Sequence, residues 1–355
     1  MGRLLEQFSF DPRRREPPEN SAQGGSRAAT RCSCAFEAED GQADERTGYT
    51  ERPLHDVILF NPIAGRGRAA RAAAEIERVL RERGRKAVVF STRLSSAYPE
   101  LDGALPHASS LIVAGGDGTI RQAAPFAVRH GTPIYQFPFG TENLFAREFG
   151  MNRRMDTLLR ALDHEPKAVD VGVVNGEMFL MMVSVGLDAE VIHDLMARRQ
   201  GAISHLHYIR PIIHHWMQWK PVEMRITIDG GAVELTGPGM VVVANARQYA
   251  FRFDPAPLAS MTDGLLDVVY FEIRSRMSLA MIAAMSRLRR HLRSRTVFHG
   301  TGRHVQIECA APQRYQIDGD AALRAACDQG ASPREACMTP LDITLRPGAL
   351  RVLVP

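Results

Sequence analysis

LIVAGGDGTIRQ (residues 111–122) runs from an apolar, β-branched segment into Gly115, Gly116, Asp117, Gly118 and Thr119, and then into a helical pattern. Strand, glycine turn and helix form a cradle for phosphate, because glycines let backbone N–H groups approach an anion and the helix N-terminus favours negative charge. The usual phosphate loop carries a lysine here, whereas this one carries Asp117. A carboxylate beside phosphate is tolerable only with a divalent cation between them, or if it orients a hydroxyl or water. The same residues admit a local role, Asp117 as turn former or helix cap and Thr119 as cap.

The flanking sequence sets this loop in a repeated pattern. HDVILF (55–60) is a short β-branched run, and NPIAGRGRAARAAAEIERVLRERG (61–84) is a glycine turn leading into an amphipathic helix closed by Gly84. KAVVFST (86–92) and SLIVAGGDG (110–118) read as strands, TIRQAAPFAVRHG (119–131) as a helix, and TPIYQFPFGT (132–141) as a strand and turn. Strands alternating with helices predict a doubly wound, parallel α/β domain over residues 53–168. Beyond about residue 168 strand patterns dominate, separated by Asn-Gly, Asp-Gly and Gly-Pro turns, which predicts an antiparallel β-sandwich domain over 169–339. Helical stretches around 188–218 and 277–293 interrupt it, and the late strands of 340–355 could return to complete the first domain. Residues 1–52 are rich in Arg, Glu, Pro, Gly and Ser, with too few periodic apolar residues to offset the entropy of ordering, so a disordered extension is expected.

Two further loops share the character of the first. NPIAGRGRAA (61–70) nearly fits a dinucleotide fingerprint through Gly65, Gly67 and Ala70, but the second strand ends in STRLSS (91–96) without the acidic residue that would hold a ribose. That argues against a dehydrogenase. PFGTENLFAR (138–147) places Gly140, Thr141 and Asn143 at the end of another strand. Three polar, glycine-bearing turns at strand C-termini describe a nucleotide pocket, since open α/β sheets bind ligands at that edge.

NPIAG, GGDGT and PFGTENLFAR, in this order and spacing, resemble the nucleotide-binding signature of the diacylglycerol kinase catalytic-domain family, which includes bacterial lipid kinases and sphingosine kinases. VNGEMFLMMVSVGLDAEV (174–191), ASMTDGLLDVVYF (259–271) and YQIDGD (315–320) are similar to that family's second-domain motifs, so the likeness covers about residues 54–355. The resemblance implies an ATP-binding α/β domain, a β-sandwich domain and an active site in the cleft between them. It implies that Asn61, Gly65, Thr92, Gly115, Gly116, Asp117, Gly118, Thr119, Ile120, Arg121, Thr141 and Asn143 line ATP. Asp318 would be the general base for a lipid hydroxyl, with Asp320 beside it, and Asp117 would lie near magnesium and the phosphates. Ser260 and Leu265, through backbone carbonyls, and Asp263 would hold a structural Mg²⁺. Asp188, in GLDAEV, would touch the substrate's polar head or merely cap a helix; IDGD is equally a good hairpin turn.

The chain departs from the family pattern at Ala64, where serine is commoner, at Gln122, where glutamate is usual, at Leu144 for aspartate, and at Asp320, since DGD replaces DGE. These departures bear on which lipid is phosphorylated and on turnover. They keep a non-catalytic nucleotide- or lipid-binding protein in view beside a soluble-substrate kinase of the NAD kinase type.

A net charge of +4 suits anionic ligands or an anionic membrane without choosing between them. Five cysteines without CxxC spacing suggest neither disulfides nor zinc, and no apolar stretch approaches the roughly 20 residues that span a bilayer. A cytoplasmic protein with peripheral contact at the inner membrane face is therefore expected, with no nucleic-acid partner and with a homodimer left open. MSRLRRHLRSRTVFHGTGRH (285–304) is arginine-rich and free of acids, which fits a solvated helix face or attraction to anionic lipid. SHLHYIRPIIHHWMQWKP (204–221) suggests an interfacial helix through Tyr208, Trp216 and Trp219. Its histidines at 205, 207, 214 and 215 lack Cys or carboxylates at ligand spacing, which argues against a metal site.

Overall fold

Short β-branched runs and alternating helices order the first half of the chain as the pattern predicts. A computed structural model describes residues 55–93, 98–197, 206–250, 253–322 and 337–355, so the expected extension at 1–52 lies outside the described residues. In chain order the elements begin β1 (His55–Phe60), α1 (Arg68–Glu82), β2 (Ala87–Ser91), α2 (Pro99–Ala104), β3 (Ala108–Gly115), α3 (Asp117–His130) and β4 (Ile134–Pro138). Then come α4 (Leu144–Glu148) and α5 (Met155–Asp163). Strands β2, β1, β3 and β4 lie side by side in that order, all parallel. The central pair is apolar over Val57–Phe60 and Leu111–Ala114 because parallel strands are covered on both faces. Ala69, Ala73, Ile76 and Leu80 of α1, spaced by three or four residues, are buried in this core, as are Ile120, Ala123, Ala124 and Ala127 of α3.

Antiparallel pairing takes over afterwards. The elements are β5 (Lys167–Val174), β6 (Glu177–Phe179), β7 (Met182–Val185), α6 (Leu187–Ala197), α7 (Leu206–Gln218), β8 (Val222–Ile228), β9 (Val233–Ala244), β10 (Leu266–Glu272) and α8 (Arg276–Arg287). Strands β11 (Val297–Gly302), β12 (His304–Cys309), β13 (Tyr315–Ile317), β14 (Asp320–Ala321) and β15 (Leu341–Val352) complete them. The expected Asn175-Gly176 and Asp229-Gly230 turns form, with left-handed φ at both residues of each pair. Alternate residues of β7, β8, β9, β10 and β12, among them Val183, Ile226, Val243, Val268 and Val305, bury a second apolar core.

The Gly237-Pro238 pair corrects one expectation, because it lies inside β9 and makes no turn. There β9 changes partners: residues 233–239 pair with β8, and residues 239–244 with β10. Proline has no N–H to give, and a side chain at Gly239 would overlap the Phe271 carbonyl oxygen at 2.0 Å, so this dipeptide suits the crossover.

β15 ties the two patterns into one sheet. It pairs antiparallel with β12 at Leu341–Thr344 and with β5, and meets β4 in parallel at Val352 opposite Ile134. Its register shifts between Arg346 and Leu350, where the N–H of Gly348 donates to Oδ1 of buried Asp170 at 2.7 Å. Oδ2 of the same carboxylate accepts the Gly264 N–H at 2.8 Å. One buried acid thus fastens β5 to the β15 bulge and to the loop before β10. Asp170→Ala strands both donors, and should lower the unfolding free energy by about 2–4 kcal/mol in urea titration, with Asp170→Asn intermediate. Unchanged midpoints in both variants would refute the fastening role.

Candidate active site

The C-terminal edge of the parallel sheet carries three loops that interlock through backbone. The Asn61 N–H donates to the Ala114 carbonyl at 3.0 Å and the Phe139 N–H to that of Gly115 at 2.9 Å, so the turns after β1 and β4 are both stitched to the end of β3. Gly116 and Gly140 approach so closely that a Cβ on Gly140 would sit 2.7 Å from the Gly116 Cα. Only residues without side chains allow this contact. Asn61 Nδ2 lies 3.4 Å from Thr119 Oγ1, while the Thr92 N–H donates to the Phe60 carbonyl at 2.8 Å.

These contacts separate groups that could face a ligand from groups already engaged. Asn143 has left-handed φ, accepts the Gly140 N–H at 2.7 Å and donates back to its carbonyl at 2.9 Å, so its side chain shapes its own loop. Ile120 is buried in the core and can offer only backbone. A Cβ on Gly65 would meet the Phe139 ring at 2.8 Å, which places the turn after β1 against the turn after β4. Thr141 stands exposed at the third loop.

Against the glycine loop the fold brings the acids from the far end of the chain. Asp117 Oδ1 accepts the Phe145 N–H at 3.2 Å. Burial, with Asp318 and Asp320 adding negative charge nearby, pushes its carboxyl up to about 6. Asp320 reaches the backbone of the loop itself, since a Cβ on Gly118 would lie 2.7 Å from its Oδ2. Asp318 and Gly319 have left-handed φ and form the β13–β14 turn, so the residue is a hairpin former and a buried acid at once. Its Oδ2 accepts the Leu180 N–H at 2.8 Å, and its Oδ1 those of Met181 and Met182 at 2.8 and 2.9 Å. Burial still pushes the Asp318 carboxyl above its ordinary range, opposed by Arg121 and these amides.

Arg121 is the cation of this group. Its guanidinium bonds Glu177 at 2.8 Å and Asp320 at 3.4 Å, while Nε is buried without a partner. Burial works against its charge, but Asp320, Glu177 and Asp318 together raise its pKa.

Asp188 lies in the first turn of α6, where its Oδ2 accepts from Ser184 and, at 2.9 Å, from Tyr249. Burial raises its pKa. The Ser184 hydroxyl also accepts from Gln316 at 2.7 Å, and Gln316 accepts the Gly319 N–H at 2.8 Å. A polar relay therefore runs from Asp188 to the turn that carries Asp318. Ser184, Tyr249, Gln316 and Glu177 escaped sequence reading. Gln316 stands within YQIDGD, and Glu177 and Ser184 within VNGEMFLMMVSVGLDAEV, but nothing local marks Tyr249.

Ser260, Asp263 and Leu265 sit on the loop before β10. Asp263 accepts the Leu265 N–H at 3.1 Å and Ser260 Oγ accepts the Thr262 N–H at 3.4 Å, a local turn anchored to Asp170 through Gly264. Among the described residues no hydrogen bond or ion pair links this loop to the three acids. Among the described residues no group of three or more His, Cys, Asp or Glu side chains forms a metal centre by itself. The donor set around Asp117 nonetheless suits a hard cation: it is all oxygen, and its carboxylates crowd one another with a single arginine among them.

Comparison with known proteins matches this arrangement in order along the chain. The diacylglycerol kinase catalytic domain matches residues 55–174, and the YegS C-terminal NAD kinase beta sandwich-like domain matches residues 181–354. A diacylglycerol kinase of Bacillus subtilis is 23% identical over 274 residues, which cover 74% of this chain and 88% of the relative. One of Mycobacterium tuberculosis is 26% identical over 308 residues, 84% of this chain and 94% of the relative. A crystal structure of a diacylglycerol kinase from Bacillus anthracis shares the fold with a TM-score of 0.60 at 17% identity, over 85% of this chain and 97% of that one. With both domains matched in sequence order, over the glycine loops at one end and the buried aspartates at the other, the chain belongs to the diacylglycerol kinase catalytic-domain family.

Proposed function

We propose that the protein is an ATP- and magnesium-dependent lipid kinase that phosphorylates a hydroxyl of diacylglycerol or a related lipid alcohol. The observation that carries this reading is the meeting of Asp117, at the first glycine loop, with Asp318 and Asp320 from the β13–β14 hairpin. A site that only held phosphate would have no use for three carboxylates. Phosphoryl transfer needs positioning, charge neutralisation and a proton acceptor, and these residue types supply all three.

In this reading the backbone of the three loops, including Asn61, Gly65, Gly115, Gly116, Gly118, Thr119 and Thr141, holds the triphosphate of ATP. Asp117 would hold Mg²⁺, which neutralises phosphate charge when bound. Asp318, whose anion three amides and Arg121 stabilise against the cost of burial, accepts the proton of the lipid hydroxyl. The hydroxyl oxygen then bonds the γ-phosphorus as the bond to the ADP oxygen breaks. Asp188 orients the polar head, linked through Ser184 and Gln316 to the Asp318 turn. The loop of Ser260, Asp263 and Leu265 would hold a second, structural Mg²⁺ by carbonyl and carboxylate oxygens, with Asp170 fixing its backbone.

Purified protein given Mg-ATP and a panel of lipid alcohols should transfer the γ-phosphate to at least one. Asp318→Asn should lower kcat by about 10²–10⁴ while calorimetry shows ATP binding retained. Full turnover in that variant would remove Asp318 from its role, and ATP binding by the wild type without any phospholipid product would overturn the reaction.

The burial of Asp117, with two acids beside it, makes a second prediction, in chelator without nucleotide. A carboxyl whose folded pKa is raised costs stability when ionised, so the penalty from Asp117 is absent at low pH and grows as pH rises from about 4 through about 6. At neutral pH it amounts to roughly 3 kcal/mol. Asp117→Asn, which keeps an acceptor for the Phe145 N–H, should melt above the wild type at about pH 8 and lose that advantage by about pH 4. A variant that melts lower at every pH would contradict this penalty.

A further inference from the structure

Two helices of the second half turn apolar side chains into water. On α7 Ile209, Ile213 and Met217 follow at intervals of four, and Met277 and Met281 of α8 and Leu288 at its C-cap follow at four and seven. All six are between 51% and 74% exposed. The opposite faces are anchored: His215 of α7 lies 3.5 Å from Asp194 of α6, and Leu279 and Ile282 of α8 are buried. The stripes meet where the Arg276 guanidinium donates to the Met217 carbonyl at 2.6 Å and Trp216 Nε1 donates to the Arg276 carbonyl at 3.2 Å.

The tryptophans that suggest an interfacial helix are turned partly inward. Trp216 and Trp219 pack against the core, so the outward face of α7 is aliphatic. Tyr208 and His207 have side chains outside the described residues, and His205 lies outside them altogether.

Charge decides what covers this face. There is no acidic residue in α7 and none from 273 to 307. Arg289 is held by Asp254, but Arg210, Arg287, Arg290, Arg293 and Arg295 are exposed or half-exposed and no carboxylate among the described residues pairs with them. A second copy would set arginine against arginine. Nucleic acid would match the arginines and leave the aliphatic stripes in water. An anionic bilayer satisfies both, since aliphatic side chains enter the acyl boundary while guanidinium groups stay among the headgroups.

We propose that the outward faces of α7 and α8 are the surface by which the protein docks on an anionic lipid bilayer. This deepens the lipid-kinase reading and rests on it for its purpose, because α7 packs on α6, the helix whose first turn carries Asp188. Docking there brings the membrane within one helix of the residue assigned to the lipid head.

The full chain is sedimented, without ATP, with vesicles of phosphatidylcholine alone and of phosphatidylcholine with an equal part of phosphatidylglycerol. The wild type should bind the mixed vesicles at least about tenfold more tightly, and added salt should erase the difference. Ile213→Glu with Met281→Glu, and separately Arg287→Gln with Arg290→Gln, should each weaken that binding about tenfold or more. Equal binding to both vesicles, or both double variants binding like the wild type, would overturn the proposal. So would an oligomer, seen by sedimentation velocity without lipid, that the aliphatic double variant dissociates while vesicle binding stays intact. Both double variants should phosphorylate a dispersed short-chain diacylglycerol as the wild type does. If the wild type turns over no lipid yet binds vesicles as described, the reaction fails and the docking surface stands.

Discussion

A carboxylate taken out of water must be solvated by the protein, and Asp318 is solvated by three successive backbone amides, those of Leu180, Met181 and Met182. Much of the site follows from that requirement. Donors in a row exist only where a chain segment leaves its sheet pairing, so the link between β6 and β7 is shaped to the acid. The segment is gripped from behind as well. Asn245 donates to the Leu180 carbonyl, and the N–H groups of Asn245 and Ala246 reach the Met181 carbonyl. Asn245 also reaches the carbonyl of Asp170, whose side chain fastens the β15 bulge. The turn that carries Asp318 is thus mounted on a continuous buried frame, which is what its proposed role as proton acceptor needs.

The same frame creates an electrostatic deficit. Asp318, Asp320 and Glu177 surround one arginine, Asp117 adds a further acid beside Asp318 and Asp320, and burial weakens the solvent's ability to separate them. A site so built gains from any ligand that brings compensating positive charge and loses from one that brings bare phosphate. In the proposed reaction that asymmetry would select the metal-bound form of a triphosphate over the free form before any chemistry begins.

Much of this was legible in the sequence where the information is local. Glycine turns after β-branched runs announce themselves, as do the period of α1 and the Asn175-Gly176 hairpin, because each depends on a few neighbouring residues. Asp117 was readable as anomalous for the same reason. The partners of Asp318 were not readable: Leu180, Met181 and Met182 look like any apolar run and serve through backbone alone. Asp318 itself was visible only as a turn until the family likeness supplied its role. Gly237-Pro238 carried the signature of a turn, yet long-range pairing with β8 and β10 made it a crossover inside β9. Trp216 and Trp219 misled in the other direction, since composition suggests an interface but cannot say which face of a helix a neighbour will cover.

The path of β15 bears on how the molecule can be divided. The matched segments 55–174 and 181–354 look separable on paper, but β5 belongs to the first of them and finds its long partner, β15, in the second. A fragment cut between them would present β5 and the side of β4 as unsatisfied strand edges, a template for self-association. Modular as the sequence is, the fold makes the two segments hostages to each other's solubility.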